Sequence, residues 1–210
     1  MALSGFFLLF FLLQHLIINL LSVISEESFN SVSHFMGYNP IIQFVMQPIL
    51  VFGIIFHLIM GIYLELKNRK AKGQKNAKNN AGANSSWMSR NMIYTGIMIM
   101  MFIVLHMMDY WAHEMNVKYI NVEDLNPNRY WHELHASFIP IGKVIVYIVA
   151  FIFLSLHLMH GFQSAFQSVG FNHNKYTPIL KKLGTAFAII VPAGFIWVAL
   201  FHYFTQVHPH

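Results

Sequence analysis

Histidine is the residue type most able to do chemistry in this chain. There are thirteen, against eight carboxylates and no cysteine. Eight of them, His34, His113, His132, His135, His173, His202, His208 and His210, lie at or beyond the ends of apolar runs and read as interfacial polar tips. Five lie well inside such runs: His15, His57, His106, His157 and His160. An ionisable ring inside a long apolar segment is costly, and it faces a helix-bundle interior with a partner. Neutral imidazole is also the commonest metal ligand. The absence of cysteine removes disulfides, thiolate zinc sites and iron–sulfur ligation. No His-Glu-x-x-His occurs, and no apolar run pairs a histidine with a buried carboxylate, so a hydrolytic zinc site or a histidine-box oxygenase is the weaker reading.

The elements that must position these rings follow from composition. Hydrophobic residues make up 56% of the 210 and charged residues only 10%. So few charges cannot cover a water-facing surface, which makes this an integral membrane protein. About 20 apolar residues cross the ~30 Å hydrocarbon layer as a helix. Five segments qualify, at about 2–23, 41–64, 91–111, 144–169 and 183–205. The fold class is therefore all-α, a single domain over 1–210 built as a bundle of five transmembrane helices. Pro48 predicts a kink near the start of the second span, and Pro192 lies inside the fifth. The methionines crowding span 3 (Met98, Met100, Met101, Met107, Met108) read as adaptable packing.

Charge orients the bundle. Lys67, Arg69, Lys70, Lys72, Lys75, Lys78 and Arg90 fall between spans 2 and 3, and Lys175, Lys181 and Lys182 between spans 4 and 5. Lys118, Arg129 and Lys143 are the other three basic residues. The positive-inside rule puts the ten in the cytoplasm, with the N-terminus cytoplasmic and the C-terminus outside. The net charge of +5 thus reflects topology and lipid contact, not nucleic-acid binding. The loop at 67–90, rich in Lys, Asn, Ala, Gly and Ser, reads as flexible. The stretch 116–137 reads as an outer loop whose Tyr119, Tyr130 and Trp131 suit the interfacial belt. Residues 1–14 do not read as a secretory signal, because no basic residue precedes the run and the run is too long.

Depth follows from ~1.5 Å of rise per residue. Counted from the cytoplasmic edges, His15 lies ~20 Å in and His106 ~22 Å in, while His57 lies ~10 Å, His157 ~18 Å and His160 ~14 Å in. These values sort into an outer pair, His15 with His106, and an inner pair, His57 with one span-4 histidine. Two histidines at one level on different helices are what a bis-imidazole haem needs, one nitrogen from each side of the iron. The second ring nitrogen then needs an acceptor to fix it. Gly53, Gly61, Gly96 and Gly161 are small enough to let a flat macrocycle approach.

Three stretches carry a family resemblance: Ser4-Gly-Phe-Phe-Leu-Leu-Phe-Phe-Leu-Leu-Gln-His15, the basic loop from Asn68-Arg-Lys-Ala71 to Ser85-Ser-Trp-Met-Ser-Arg-Asn91, and His157-Leu-Met-His-Gly-Phe-Gln-Ser-Ala-Phe-Gln-Ser-Val-Gly170. The chain resembles the single-chain, two-haem cytochrome b subunit of succinate dehydrogenase/fumarate reductase (respiratory complex II) in the form seen in Bacteroidetes-type bacteria. Members have five helices and two b haems, and they anchor a flavoprotein and an iron–sulfur subunit. The resemblance implies haem ligands at His15, His57, His106 and His157, paired His15/His106 and His57/His157. In that motif the span-4 ligand precedes a glycine by four residues, which selects His157 over His160. It also implies a quinone substrate, menaquinone in this reading, and a bacterial inner (cytoplasmic) membrane location. Members normally begin with a basic segment before the first helix, whereas this chain starts within the motif. Ser155 stands where some fumarate-reducing members carry a glutamate. The implied function is electron transfer between quinone and the iron–sulfur subunit, with the dicarboxylate chemistry on a partner. The segment around Trp87, Ser89 and Arg90 is expected at the partner interface. The competing readings are a di-haem cytochrome b of another membrane dehydrogenase and a haem-free structural anchor.

Overall fold

The computed structural model describes residues 1–71, 91–121, 126–171 and 173–207, and no strand occurs among them. In chain order the α-helices are α1 (Ala2–Ile24), α2 (Glu26–Tyr38), α3 (Gln47–Ala71), α4 (Met92–His106), α5 (His113–Met115), α6 (Arg129–Ser137), α7 (Ile141–Ser168) and α8 (Thr177–Val207). Three wider π-helical stretches join them: Ile42–Met46 leads into α3, while Met107–Ala112 and Asn116–Asn121 extend α4 through α5.

Local chemistry sets the boundaries. Ser25, extended at φ −156°, ends α1 and caps α2, its hydroxyl accepting from the Ser28 N–H at 3.2 Å. Glu26 and Glu27 in the first turn of α2 suit the positive end of the helix dipole. The Asn39 side chain accepts from the N–H groups of Ile41 and Ile42 and so starts the second membrane helix. Its π turn lies just before Pro48, whose ring cannot donate a backbone hydrogen bond. Helix α7 stops at Gly170, at φ 90°, where Phe171 N–H bonds back to Phe166 and Gly170 N–H to Gln167. That is the paired closing bond of a Schellman end, and its left-handed residue favours glycine.

Five helical segments are long and apolar enough to cross a membrane: Ala2–Ile24, Ile42–Lys70, Met92–Ile120, Ile141–Ser168 and Thr177–Gln206. They alternate in direction, so Met1 meets Gly61, Phe6 meets Phe166 and Met92 meets Gly161 at one end of the bundle. The spine is α7 against α8 with α1 beside them. Its core holds Leu16, Val144, Tyr147, Phe151, Val191, Phe195 and Ala199, joined by Phe29, Leu134 and Phe138 from the opposite end. Helices α3 and α4 contribute little to this core, and Phe44, Phe52, Phe56, Met101 and Met108 face outward. In lipid, water does not drive helices together, so close approach at small residues has to. Gly194 lies against Leu16, Gly53 against Phe7 and Gly184 against Phe162.

The structure departs from the sequence expectations in three places. The membrane helices run longer than 41–64, 91–111 and 183–205, reaching Lys70, Ile120 and Thr177. The stretch between spans 1 and 2 is the helix α2, and 116–137 is helical at both ends instead of a loop. Trp131 and Tyr130 pack inward: Trp131 Nε1 donates to the Ser22 carbonyl at 2.8 Å, and Tyr130 donates to Glu114. Tyr119 alone of the three is well exposed. The basic loop beyond Ala71, with Lys72, Lys75, Lys78 and the Trp87–Arg90 segment, lies outside the described residues, as do His208 and His210.

Candidate metal centre

The four helices bring the intramembrane histidines together as two facing pairs. His15 of α1 and His106 of α4 have ring centres 5.7 Å apart, and their planes are crossed at 85°. His57 of α3 and His157 of α7 have ring centres 6.5 Å apart at 69°. The His57/His157 level lies toward the end where Met1, Gly61 and Gly161 meet, and the His15/His106 level lies toward α2 and α6. His160 sits three residues beyond His157 on the same helix; the ring that faces His57 is that of His157.

These separations suit one metal ion between each pair. With metal–imidazole bonds of ~2 Å and ~1 Å from nitrogen to ring centre, two rings on opposite sides of one ion sit about 6 Å apart. Among the described residues no group of three or more His, Asp or Glu could hold a metal. A site made only of facing imidazole pairs therefore suits an ion whose other ligands come from a macrocycle, as in haem. The flanking residues leave room beside the rings. A Cβ at Gly5 would stand 3.8 Å from His57 Cε1, and one at Gly96 would stand 3.6 Å from His157 Cε1.

The surroundings of the two levels differ. At the first, His57 Nδ1 lies 3.2 Å from Ser4 Oγ, and His157 Nδ1 lies 3.2 Å from Thr95 Oγ1. At the second, the rings sit in an aromatic box. Phe11 stacks on His15 and Phe195 tilts against it, while Phe102, Tyr110 and Tyr147 surround His106. Asn19 is near His15 Nε2 at 3.5 Å but donates squarely to the His15 carbonyl at 2.8 Å. His106 Nδ1 is buried with no hydrogen-bond partner among the described residues. A buried imidazole nitrogen left in that state is costly.

Two histidines assigned to interfacial tips prove otherwise. His202 of α8 is fully buried. Its Nε2 lies 2.9 Å from Ser22 Oγ and its Nδ1 lies 3.0 Å from His135 Nδ1, so α1, α6 and α8 are tied at one point. Trp131 stacks on His135 at 4.5 Å. Burial, and then the charge of neighbouring His132, pushes the His135 pKa below its usual value. His202 is four residues from the end of a membrane helix, and α1 and the inward-folded α6 cover it. Ser4 and Thr95 were missed for a related reason, since nothing in their local sequence marks a hydroxyl facing a ring on another helix.

Carboxylates and cations gather beyond the His15/His106 level. Glu114 meets Lys118 at 2.7 Å and also Arg129, which grips Glu133. Lys118 donates to the Gly37 carbonyl at 2.6 Å, binding α2 to the extension of α4. Lys143 pairs with Asp109 at 3.0 Å, and Tyr147 donates to the same carboxylate.

Fold and site together define a multi-pass helical membrane protein with two stacked pairs of facing histidines. Residues 1–84 match the family model described as the succinate dehydrogenase/fumarate reductase transmembrane subunit. The chain is also 32% identical over 100 residues to the succinate dehydrogenase cytochrome b558 subunit of Bacillus subtilis (strain 168), an alignment that covers 46% of this chain and 45% of that relative. The match thus spans under half the length of that curated relative. No solved structure matches. Both sequence matches are to succinate dehydrogenase or fumarate reductase subunits, and each covers less than half of this chain.

Proposed function

We propose that this chain is the cytochrome b subunit that anchors a succinate:quinone oxidoreductase or quinol:fumarate reductase and holds two b haems. The observation that carries this reading is the pair of imidazole–imidazole separations, 5.7 and 6.5 Å, on four different membrane helices. In this reading His15 and His106 hold one haem iron, and His57 and His157 the other. Haem b, when bound, supplies one-electron transfer between a membrane quinone and an iron–sulfur subunit, menaquinone being the quinone we expect. The chain's own part is to fix the ligands, keep water away with aromatic side chains, and set the dielectric around each ring. The dicarboxylate chemistry then belongs to a flavoprotein partner. The basic end, with Lys67, Arg69, Lys70, Lys175, Lys181 and Lys182, faces the cytoplasm of a bacterial inner membrane and meets the partner subunits.

The test is haem per protein. Pyridine haemochrome absorbance against protein mass should give two b haems per chain in the purified complex, with a flavoprotein and an iron–sulfur subunit copurifying. One haem or none overturns the two-haem reading; two haems with a different set of subunits overturns the assignment to complex II.

A further inference from the structure

Both hydroxyls that face the His57/His157 pair already direct their one hydrogen to a backbone carbonyl. Ser4 Oγ donates to the Met1 carbonyl at 2.7 Å, and Thr95 Oγ1 donates to the Met92 carbonyl at 2.9 Å. A hydroxyl has one hydrogen and two lone pairs. With the hydrogen on a helix carbonyl, each oxygen can only accept from the ring nitrogen it faces, 3.2 Å away in both cases. Each Nδ1 must then carry the proton, which leaves the Nε2 lone pair free. The two hydroxyl contacts are equal in length although they join different helices: α1 serves the ring on α3, and α4 serves the ring on α7.

The other level lacks this device. Asn19 presents to His15 only N–H donors, one of them given to the His15 carbonyl, and so offers no acceptor for a ring N–H. His106 Nδ1 has no partner among the described residues. We propose that Ser4 and Thr95 are positioning residues that hold His57 and His157 in the Nδ1–H tautomer and tune the iron between them, while the His15/His106 iron has no such hydroxyl control. The proposal rests on the two-haem reading. An acceptor on Nδ1–H makes the imidazole a more basic ligand and favours the ferric state. Removing either acceptor should raise the midpoint potential of that haem alone.

The experiment is potentiometric titration, with optical and low-temperature EPR detection, of the purified complex carrying Thr95→Val, Thr95→Ser, Ser4→Ala or Ser4→Thr. Valine keeps the shape of threonine without the hydroxyl, and serine keeps the hydroxyl. The expected result for Thr95→Val is a roughly tenfold fall in the ferric-to-ferrous ratio at fixed potential, set at the low end of the roughly 10–100-fold that losing a ligand's hydrogen-bond partner costs in metal affinity. For a one-electron couple that is a rise of about 59 mV. The low-spin ferric EPR signal of the same haem should shift, the other haem should not change, and Thr95→Ser and Ser4→Thr should behave as the parent. If Thr95→Val loses one haem outright while Thr95→Ser keeps both, the hydroxyl is still the cause and the proposal stands. Two haems with unchanged potentials and EPR in Thr95→Val and Ser4→Ala overturn the proposal and leave the two-haem reading intact. Equal damage in Thr95→Val and Thr95→Ser also overturns it, since side-chain volume would then be what matters. A parent complex with fewer than two haems sinks the underlying reading before any variant is compared.

Discussion

His157 and His160 lie one helical turn apart, and their neighbours separate them. His157 faces His57 across the bundle, touches the space above Gly96 and meets the Thr95 hydroxyl. Under the proposed two-haem reading, replacing His157 by alanine should therefore remove one haem, while His160→Ala should retain both; haem content and the reduced-minus-oxidised spectrum measure the difference. The reverse pattern would assign the ligand to His160. Depth counting along the sequence grouped His15 with His106 and His57 with a span-4 histidine but left His157 and His160 both open, and only the glycine offset of the resembling family separated them. The hydroxyls of Ser4 and Thr95 were beyond such counting, because whether a small polar side chain meets a ring on another helix depends on helix rotation. His202 shows the same limit from the other side. Its distance from the helix end suggested an exposed tip, yet Ser22 and His135 enclose it.

At the scale of elements, the long apolar runs were legible because lipid demands length and continuity. The helices α2 and α6 were not, since neither is long enough to span and their apolar residues are interrupted by polar ones. They are stabilised by tertiary partners: Asn30 accepts from the Trp131 N–H at 2.8 Å, and Phe29 and Leu134 enter the core. The membrane helices themselves depend on close contacts at small residues, and Gly184 is the tightest. A Cβ there would come within 2.7 Å of Phe162 Cδ1, a ring atom already packed against Phe166 and Phe187. Alanine in a helix gains about 1 kcal/mol over glycine, whereas overpacking costs about 1–3 kcal/mol. The clash should win. Gly184→Ala should lower thermal stability in detergent modestly, Gly184→Val should lower it more, and Phe162→Leu should recover part of the loss in the Gly184→Ala background. An unchanged or raised melting temperature for Gly184→Ala would show that α7 and α8 have room to separate.

At the scale of the whole molecule, charge is divided between the two ends. In the sequence, ten of the thirteen basic residues and one of the eight acidic ones, Glu65, fall at or between the ends of spans 2 and 3 or of spans 4 and 5. The other three basic and seven acidic residues fall in the sequence between spans 1 and 2 or at and between the ends of spans 3 and 4. The pairings sharpen this division: Lys118, Arg129 and Lys143 each sit on a carboxylate, so the second end offers little positive charge to hold it on the cytoplasmic side. Lys175, Lys181 and Lys182 are exposed at the first end, where lipid phosphates and the cytoplasm would receive them. The orientation that follows can be checked with single cysteines, since the chain has none of its own. Cysteine replacing the exposed Asn128, just before α6, should react with a membrane-impermeant maleimide in intact spheroplasts. Cysteine replacing Lys181 should react only after the membrane is opened. The opposite labelling pattern would turn the molecule over, put the His57/His157 level on the far side from the cytoplasm, and leave a cytoplasmic iron–sulfur partner facing the acidic end.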